Sequence, residues 1–185
     1  MILTAFHNKM TEASSGKIRR QKKTKKIAYS SMLVALAMIF SYVEVLIPFS
    51  FGIPGIKLGL ANLVVVIGLF ILKPFQVFGI LVVRIILSAF MFGNMSSLIY
   101  SLAGGVLSFF VMLLLKKFKG FSMTGISMAG GVSHNVGQLM IASCVVENLH
   151  VLYYMPVLLV AGLITGMLIG IVGQRVYKHI ERQGY

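Results

Sequence analysis

Arg84 stands in the middle of an apolar run, "FQVFGILVVRIILSAF", nine residues from either end of the span that holds it. A guanidinium at the centre of a membrane helix costs at least about 2.5–3.5 kcal/mol and cannot easily reach either interface. It therefore needs an anionic or carbonyl partner. The acid available at similar depth is Glu44, near the end of an earlier apolar run. Two arrangements satisfy this: a Glu44–Arg84 ion pair that only holds the fold, or an anionic substrate that shares Arg84.

A second polar group lies in "GGVSHNVGQLM", Gly130 to Met140, among Gly, Val, Met, Ile and Leu. On a helix His134 and Gln138 stand about 40° apart and Asn135 about 100° from His134, so all three share one side. Facing lipid they would be costly, so they point inward. Either they make hydrogen bonds between helices, worth roughly 0.6 kcal/mol each, or they line a polar cavity that receives a ligand. In the cavity reading Arg84 grips a carboxylate or phosphate with its planar fork of donors. Asn62 and Gln138 meet neutral oxygens, and walls of Phe and Leu suit an isoprenoid or aromatic body. The candidate substrate-binding set is Arg84, His134, Asn135, Gln138, Asn62, Lys57 and Glu44.

Catalysis has little to work with. The chain contains no Asp and four scattered Glu, at 12, 44, 147 and 181, so it lacks the clustered carboxylates that hold Mg²⁺ for prenyl-diphosphate chemistry. His134 has neither Cys nor Asp beside it to suggest a triad or a metal centre. The glycines of "AGGV" and "AGGVS" sit inside apolar runs, and no Walker phosphate loop is present. No catalytic residue, metal or cofactor is expected, and an enzyme acting alone is not the reading.

The elements that position these residues are membrane helices. Hydrophobic residues make up 58% of the chain and charged residues 11%, with a mean hydropathy of +0.93. Soluble domains lie far from these values. Six spans are expected, at about 27–47, 59–72, 75–93, 95–115, 122–146 and 151–174, with the second short for a bilayer. That length leaves no room for a separate soluble catalytic domain. The lone Cys144 lies in an apolar span, so no intramolecular disulfide can form.

The net charge of +13 is concentrated outside the spans, and eight positives precede the first of them. These read as a basic segment near anionic lipid rather than as a nucleic-acid site. The apolar run that follows is too long for a signal peptide and reads as a retained anchor. With the N-terminus inside, fifteen Lys and Arg fall on the cytoplasmic side and Lys57 alone on the other. Both termini are then cytoplasmic in an all-α bundle, with a basic tail over 1–26, a membrane domain over 27–175 and a basic end over 176–185. The stretch "PFSFGIPGIKLG", Pro48 to Gly59, reads either as a plain outer loop or as a lid over an outward-facing cavity.

Small residues recur at helical spacing: Gly162, Gly166 and Gly170; Gly125, Ala129, Ser133 and Gly137; Ser101 with Gly105 and Gly104 with Ser108; Ser31 with Ala35 and Ala37 with Ser41. Such stripes let backbones approach closely. Most are expected to be internal packing.

Four blocks in order, "GIKLGLANLV", "VRIILSAFMFGN", "SLAGGVLSFF" and "GGVSHNVGQLM", resemble a bacterial membrane family labelled heptaprenyl diphosphate synthase component I or Gx transporter. The resemblance covers about residues 27–175. That family is similar to the substrate-binding subunits of energy-coupling-factor transporters. The resemblance implies six helices, a long first outer loop, and small residues on the first helix, here Ser31, Ala35 and Ala37, that dock a transmembrane coupling subunit driven by cytoplasmic ATPases. The implied function is capture, at the bacterial cell membrane, of a small anionic or amphipathic compound from outside, isoprenoid- or quinone-related compounds included. The alternative is a noncatalytic membrane partner that presents a lipid substrate to a prenyl diphosphate synthase.

Overall fold

The computed structural model describes the backbone of residues 2–46, 59–118 and 120–182. Among these residues the chain is all helical: α1 (Ile2–Leu46), α2 (Leu60–Ile71), α3 (Pro74–Phe92), α4 (Met95–Lys117), α5 (Met123–Val145), a 3-10 segment (Leu149–Tyr154) and α6 (Met155–Arg182). The helix starts follow local chemistry. Pro74 opens α3, where its missing N–H costs nothing. Asn94 caps α4 by accepting from Ser97 N at 2.7 Å, and Ser122 caps α5 by accepting from Gly125 N at 3.1 Å.

Four segments are long and apolar enough to cross a membrane: Ile27–Leu46, Pro74–Phe92, Met95–Lys117 and Leu149–Arg182. The molecule is a membrane protein. The two other expected spans are helices whose differences have physical causes. At 12 residues, α2 is about 18 Å long against a hydrocarbon core of about 30 Å. It is a central helix, with Ala61, Val64, Val65, Val66, Gly68 and Leu69 all buried. Protein covers it, so it need not reach both interfaces. By contrast α5 is 23 residues long, but its Gly, Ser, His, Asn and Gln residues lower its mean apolarity. It packs between α4 and α6, which shield those groups. At the other end of the chain, α1 runs without a break through the basic segment expected as a tail. Lys, Arg, Gln, Glu and Ala there are good helix formers, and no proline interrupts them.

The main core joins Val65, Val66 and Leu69 of α2 to Val77, Leu81 and Ile85 of α3, Phe109 and Met112 of α4, Met123 and Ile126 of α5, and Ile169 of α6. A smaller cluster joins Ala37 of α1 to Val64 and Ile80. Outward positions are apolar too: Ile27, Met32 and Ile39 on α1, and Val160, Ile164, Met167 and Leu168 on α6, are exposed. Such a surface suits lipid and not water.

Glycine stripes bring α5 and α6 into backbone contact. A Cβ placed on Gly131 would lie 2.4 Å from Gly162 O, one on Gly166 2.7 Å from Ser127 O, and one on Gly170 2.6 Å from Thr124 Cα. Likewise a Cβ on Gly104 of α4 would meet His134 O at 2.5 Å. The α6 stripe Gly162, Gly166 and Gly170 is therefore internal packing, as its spacing led us to expect. The α5 face that meets it runs through Thr124, Ser127 and Gly131 and not through the expected Gly125, Ala129, Ser133 and Gly137, of which Gly137 packs on Gly104 of α4. At the end of the bundle that carries the α2–α3 turn, the Lys116 ammonium donates to Leu69 O in the last turn of α2 and sits 5.1 Å from the centre of the Phe70 ring.

Candidate functional site

One cavity of about 170 Å³ lies among the helices, and every helix contributes to its wall. Six of the seven residues singled out in the sequence line it: Glu44 from α1, Asn62 from α2, Arg84 from α3, and His134, Asn135 and Gln138 from α5. The seventh, Lys57, lies outside the described residues, as does the Pro48–Gly59 stretch apart from Gly59 itself. Along α5 the lining runs from Ser127 to Gln138, about 16 Å of helix at 1.5 Å per residue. The lining thus extends over about three turns of α5.

Arg84 is its most heavily buried charge, at 9% exposure. It is the eleventh residue of α3, about 15 Å from the helix start. Its Nη2 donates to Asn62 Oδ1 at 3.3 Å, and its Nε is buried without a hydrogen-bond partner. A buried donor left this way costs about 1–3 kcal/mol, more when charged. Glu44 is close enough for its charge to act on Arg84. Its Oε1 accepts from Gly59 N, the residue that opens α2 in the left-handed region at φ 71°. Glycine takes that conformation without steric cost. The carboxylate thereby also meets the positive end of the α2 dipole.

The three polar residues of α5 divide between neighbours. Asn135 donates through Nδ2 to Leu158 O of α6 at 2.7 Å, so for this residue the interhelical hydrogen bond is realised at the cavity wall. His134 and Gln138 lie against α4: a Cβ on Gly104 would be 3.2 Å from His134 Nδ1 and 2.6 Å from Gln138 Cγ. Bare backbone at Gly104 is what gives these two side chains their space.

The wall differs from expectation in one respect. Among the described residues it carries no Phe and no Leu; its apolar members include Val45, Val66, Ile85, Met112 and Ile169. Hydroxyls take the expected place of large apolar groups, from Ser41, Ser88, Ser97, Ser101, Ser108, Ser127 and Thr165. Ser108 Oγ donates to Gly130 O at 2.8 Å and Thr165 Oγ1 to Ala161 O at 2.9 Å, which leaves their oxygens able to accept. Sequence reading took Ser41, Ser101 and Ser108 as small packing residues and passed over the others. The available signal was helical spacing: Ser88 shares a side of α3 with Arg84, Ser127 a side of α5 with Gln138, and Ser97, Ser101 and Ser108 share one side of α4.

The first-helix set separates as well. Ser31 and Ala35 are exposed, whereas Ala37 is 0% exposed and packs on Val64 and Ile80. Ala37 is 200° from Ala35 around the helix, so the two cannot share one outward face. Only Ser31 and Ala35 remain open to a partner. The remaining described acids, Glu147 and Glu181, are exposed away from the cavity. Among the described residues no three His, Cys, Asp or Glu side chains converge as metal ligands would.

A sequence model of the family described as Heptaprenyl diphosphate synthase component I matches residues 33–176, the whole cavity included. No curated protein and no solved structure matches the chain.

Proposed function

This chain belongs to the heptaprenyl diphosphate synthase component I family, and we propose that it acts as a membrane-embedded substrate-binding subunit of an energy-coupling-factor-type uptake transporter. The observation that carries this reading is the internal cavity around Arg84. A buried cation with an unused donor, ringed by hydroxyls and amides, is arranged to hold a small polar compound and not merely to fill a core. With four carboxylates in the chain and no Asp, the protein binds and does not catalyse. Energy must come from separate ATPases through a transmembrane coupling subunit, for which exposed Ser31 and Ala35 offer a close-approach surface. The lining favours a small acid-bearing polar compound over an isoprenoid, whose long apolar body needs walls of another kind.

In this reading all six helices lie in the bacterial cell membrane with both termini cytoplasmic, supported by the distribution of Lys and Arg. Single cysteines in a Cys144→Ala background should react with an impermeant thiol reagent from outside at positions 52 and 148. Labelling at 118 in intact cells would overturn the topology.

A second reading draws on the family description, which names a component of a heptaprenyl diphosphate synthase. Here the protein is a noncatalytic membrane partner of that soluble enzyme. Gentle purification of the tagged full chain from native membranes separates the two. ATPase and coupling subunits in the complex support transport; a soluble Asp-rich synthase supports the partner reading and rejects the first.

A further inference from the structure

Among the described residues the cavity wall carries one arginine and one glutamate. Arg84 and Glu44 line the same space from different helices, and each has a protein partner that orients it: Asn62 Oδ1 for the guanidinium, Gly59 N–H for the carboxylate. A site for a simple anion would present positive charge alone. Here a carboxylate in the same poorly solvated wall works against a lone anion, since screening by water is weak inside the bundle. The same carboxylate works more strongly against a phosphate, which carries a second negative charge. The remaining polar groups of the described wall are hydroxyls, amides and the His134 imidazole, which donate or accept hydrogen bonds.

We propose that the cavity takes a zwitterion: a small molecule with a carboxylate directed at Arg84 and an ammonium directed at Glu44. This deepens the substrate-capture reading and rests on it. The carboxylate supplies the acceptor that buried Arg84 Nε lacks within the protein. The ammonium meets Glu44, the acid of the described wall, and the serines solvate the polar body between them. Size agrees: the cavity of about 170 Å³ is comparable to the roughly 150 Å³ of an engineered cavity that holds benzene. That is room for an amino acid with four to six heavy atoms beyond its carboxylate, and too little for a prenyl chain or a nucleotide.

The test uses the full chain in mild detergent, dialysed free of retained compounds, and reads the concentration dependence of its thermal unfolding. Two matched probe sets differ in the spacing of their charges: valine with 3-methylbutanoate and isobutylamine, and 4-aminobutanoate with butanoate and propylamine. At least one zwitterion is expected to bind about tenfold or more tightly than its acid or its amine, the scale of one added charge-assisted contact. Glu44→Gln retains an acceptor for Gly59 N–H, and is expected to bring the zwitterion and its acid to within about threefold of each other. An acid that binds the wild type as tightly as its zwitterion overturns the inference while leaving substrate capture intact. So does a Glu44→Gln protein that keeps the preference. If no probe of either set binds, the zwitterion inference fails, and the compound retained before dialysis then decides whether capture itself stands. Because the wild-type comparison needs no variant, a misfolded Glu44→Gln protein does not rescue the proposal.

Discussion

Two glycine substitutions of the same chemistry should differ clearly in their effect on stability. On Gly131 of α5 an added Cβ would lie 2.4 Å from Gly162 O and 3.2 Å from Gly162 C. Both atoms are backbone, so no side chain can rotate away, and the two helices must part by about 1 Å to restore ordinary contact. A gap of that order forfeits a quarter to a half of each dispersion contact along the seam, and overpacking of this kind typically costs about 1–3 kcal/mol. Gly79 of α3 is the control: a Cβ there meets nothing within 4 Å. Gly79→Ala therefore gains only the helix-propensity term, about 0.8–1 kcal/mol. Gly131→Ala receives the same gain and pays the clash, so the two variants should differ by about 1–3 kcal/mol. At roughly 2–4 °C per kcal/mol for a chain of this length, that is about 2–12 °C in unfolding temperature. Thermal unfolding of detergent-purified protein, followed by fluorescence of a thiol probe or by retention on size exclusion, measures it. If Gly131→Ala unfolds at or above the temperature of Gly79→Ala, the α5–α6 backbone contact is not what holds this seam.

Two further substitutions probe polar contacts inside the bundle. Asn135→Leu removes the 2.7 Å hydrogen bond to Leu158 O and should cost about 0.6–1.7 kcal/mol, the range for polar contacts between membrane helices; an unchanged unfolding temperature would assign Asn135 to the ligand alone. Lys116→Met keeps the aliphatic stem but loses both the contact with Leu69 O and the charge over Phe70. It should lower stability by about 0.5–1 kcal/mol and hasten amide exchange in the last turn of α2, and no change in that exchange would contradict the capping role.

Much of this architecture is legible in the residues because lipid makes the grammar simple. The expected span 75–93 is α3 (Pro74–Phe92), and 122–146 is α5 with its ends moved by one residue, since Pro74, Asn94 and Ser122 mark helix starts chemically. Arg84, His134 and Gln138 announce themselves as polar groups that lipid would not tolerate, and they do share a cavity. Serine carries no such warning. Its small hydroxyl can satisfy itself on its own helix, as Ser133 does on Ala129 O, so a cavity wall and a packing stripe look alike in sequence. Ala37 shows the same ambiguity from the other side: spacing alone does not tell which small face of a helix points inward. The absence of Phe and Leu from the described wall was also beyond sequence reading, because in a chain this apolar almost every helix side offers them.

Native mass spectrometry of the full chain purified in mild detergent, wild type beside Arg84→Gln and Arg84→Lys, tests the central claim most directly. The account predicts a small acid-bearing compound released from the wild type, lost from Arg84→Gln, and partly retained by Arg84→Lys, which keeps the charge but not the planar fork. A folded Arg84→Gln protein that retains the compound in full, or a wild type that holds none and whose unfolding no small acid or zwitterion shifts, would contradict it.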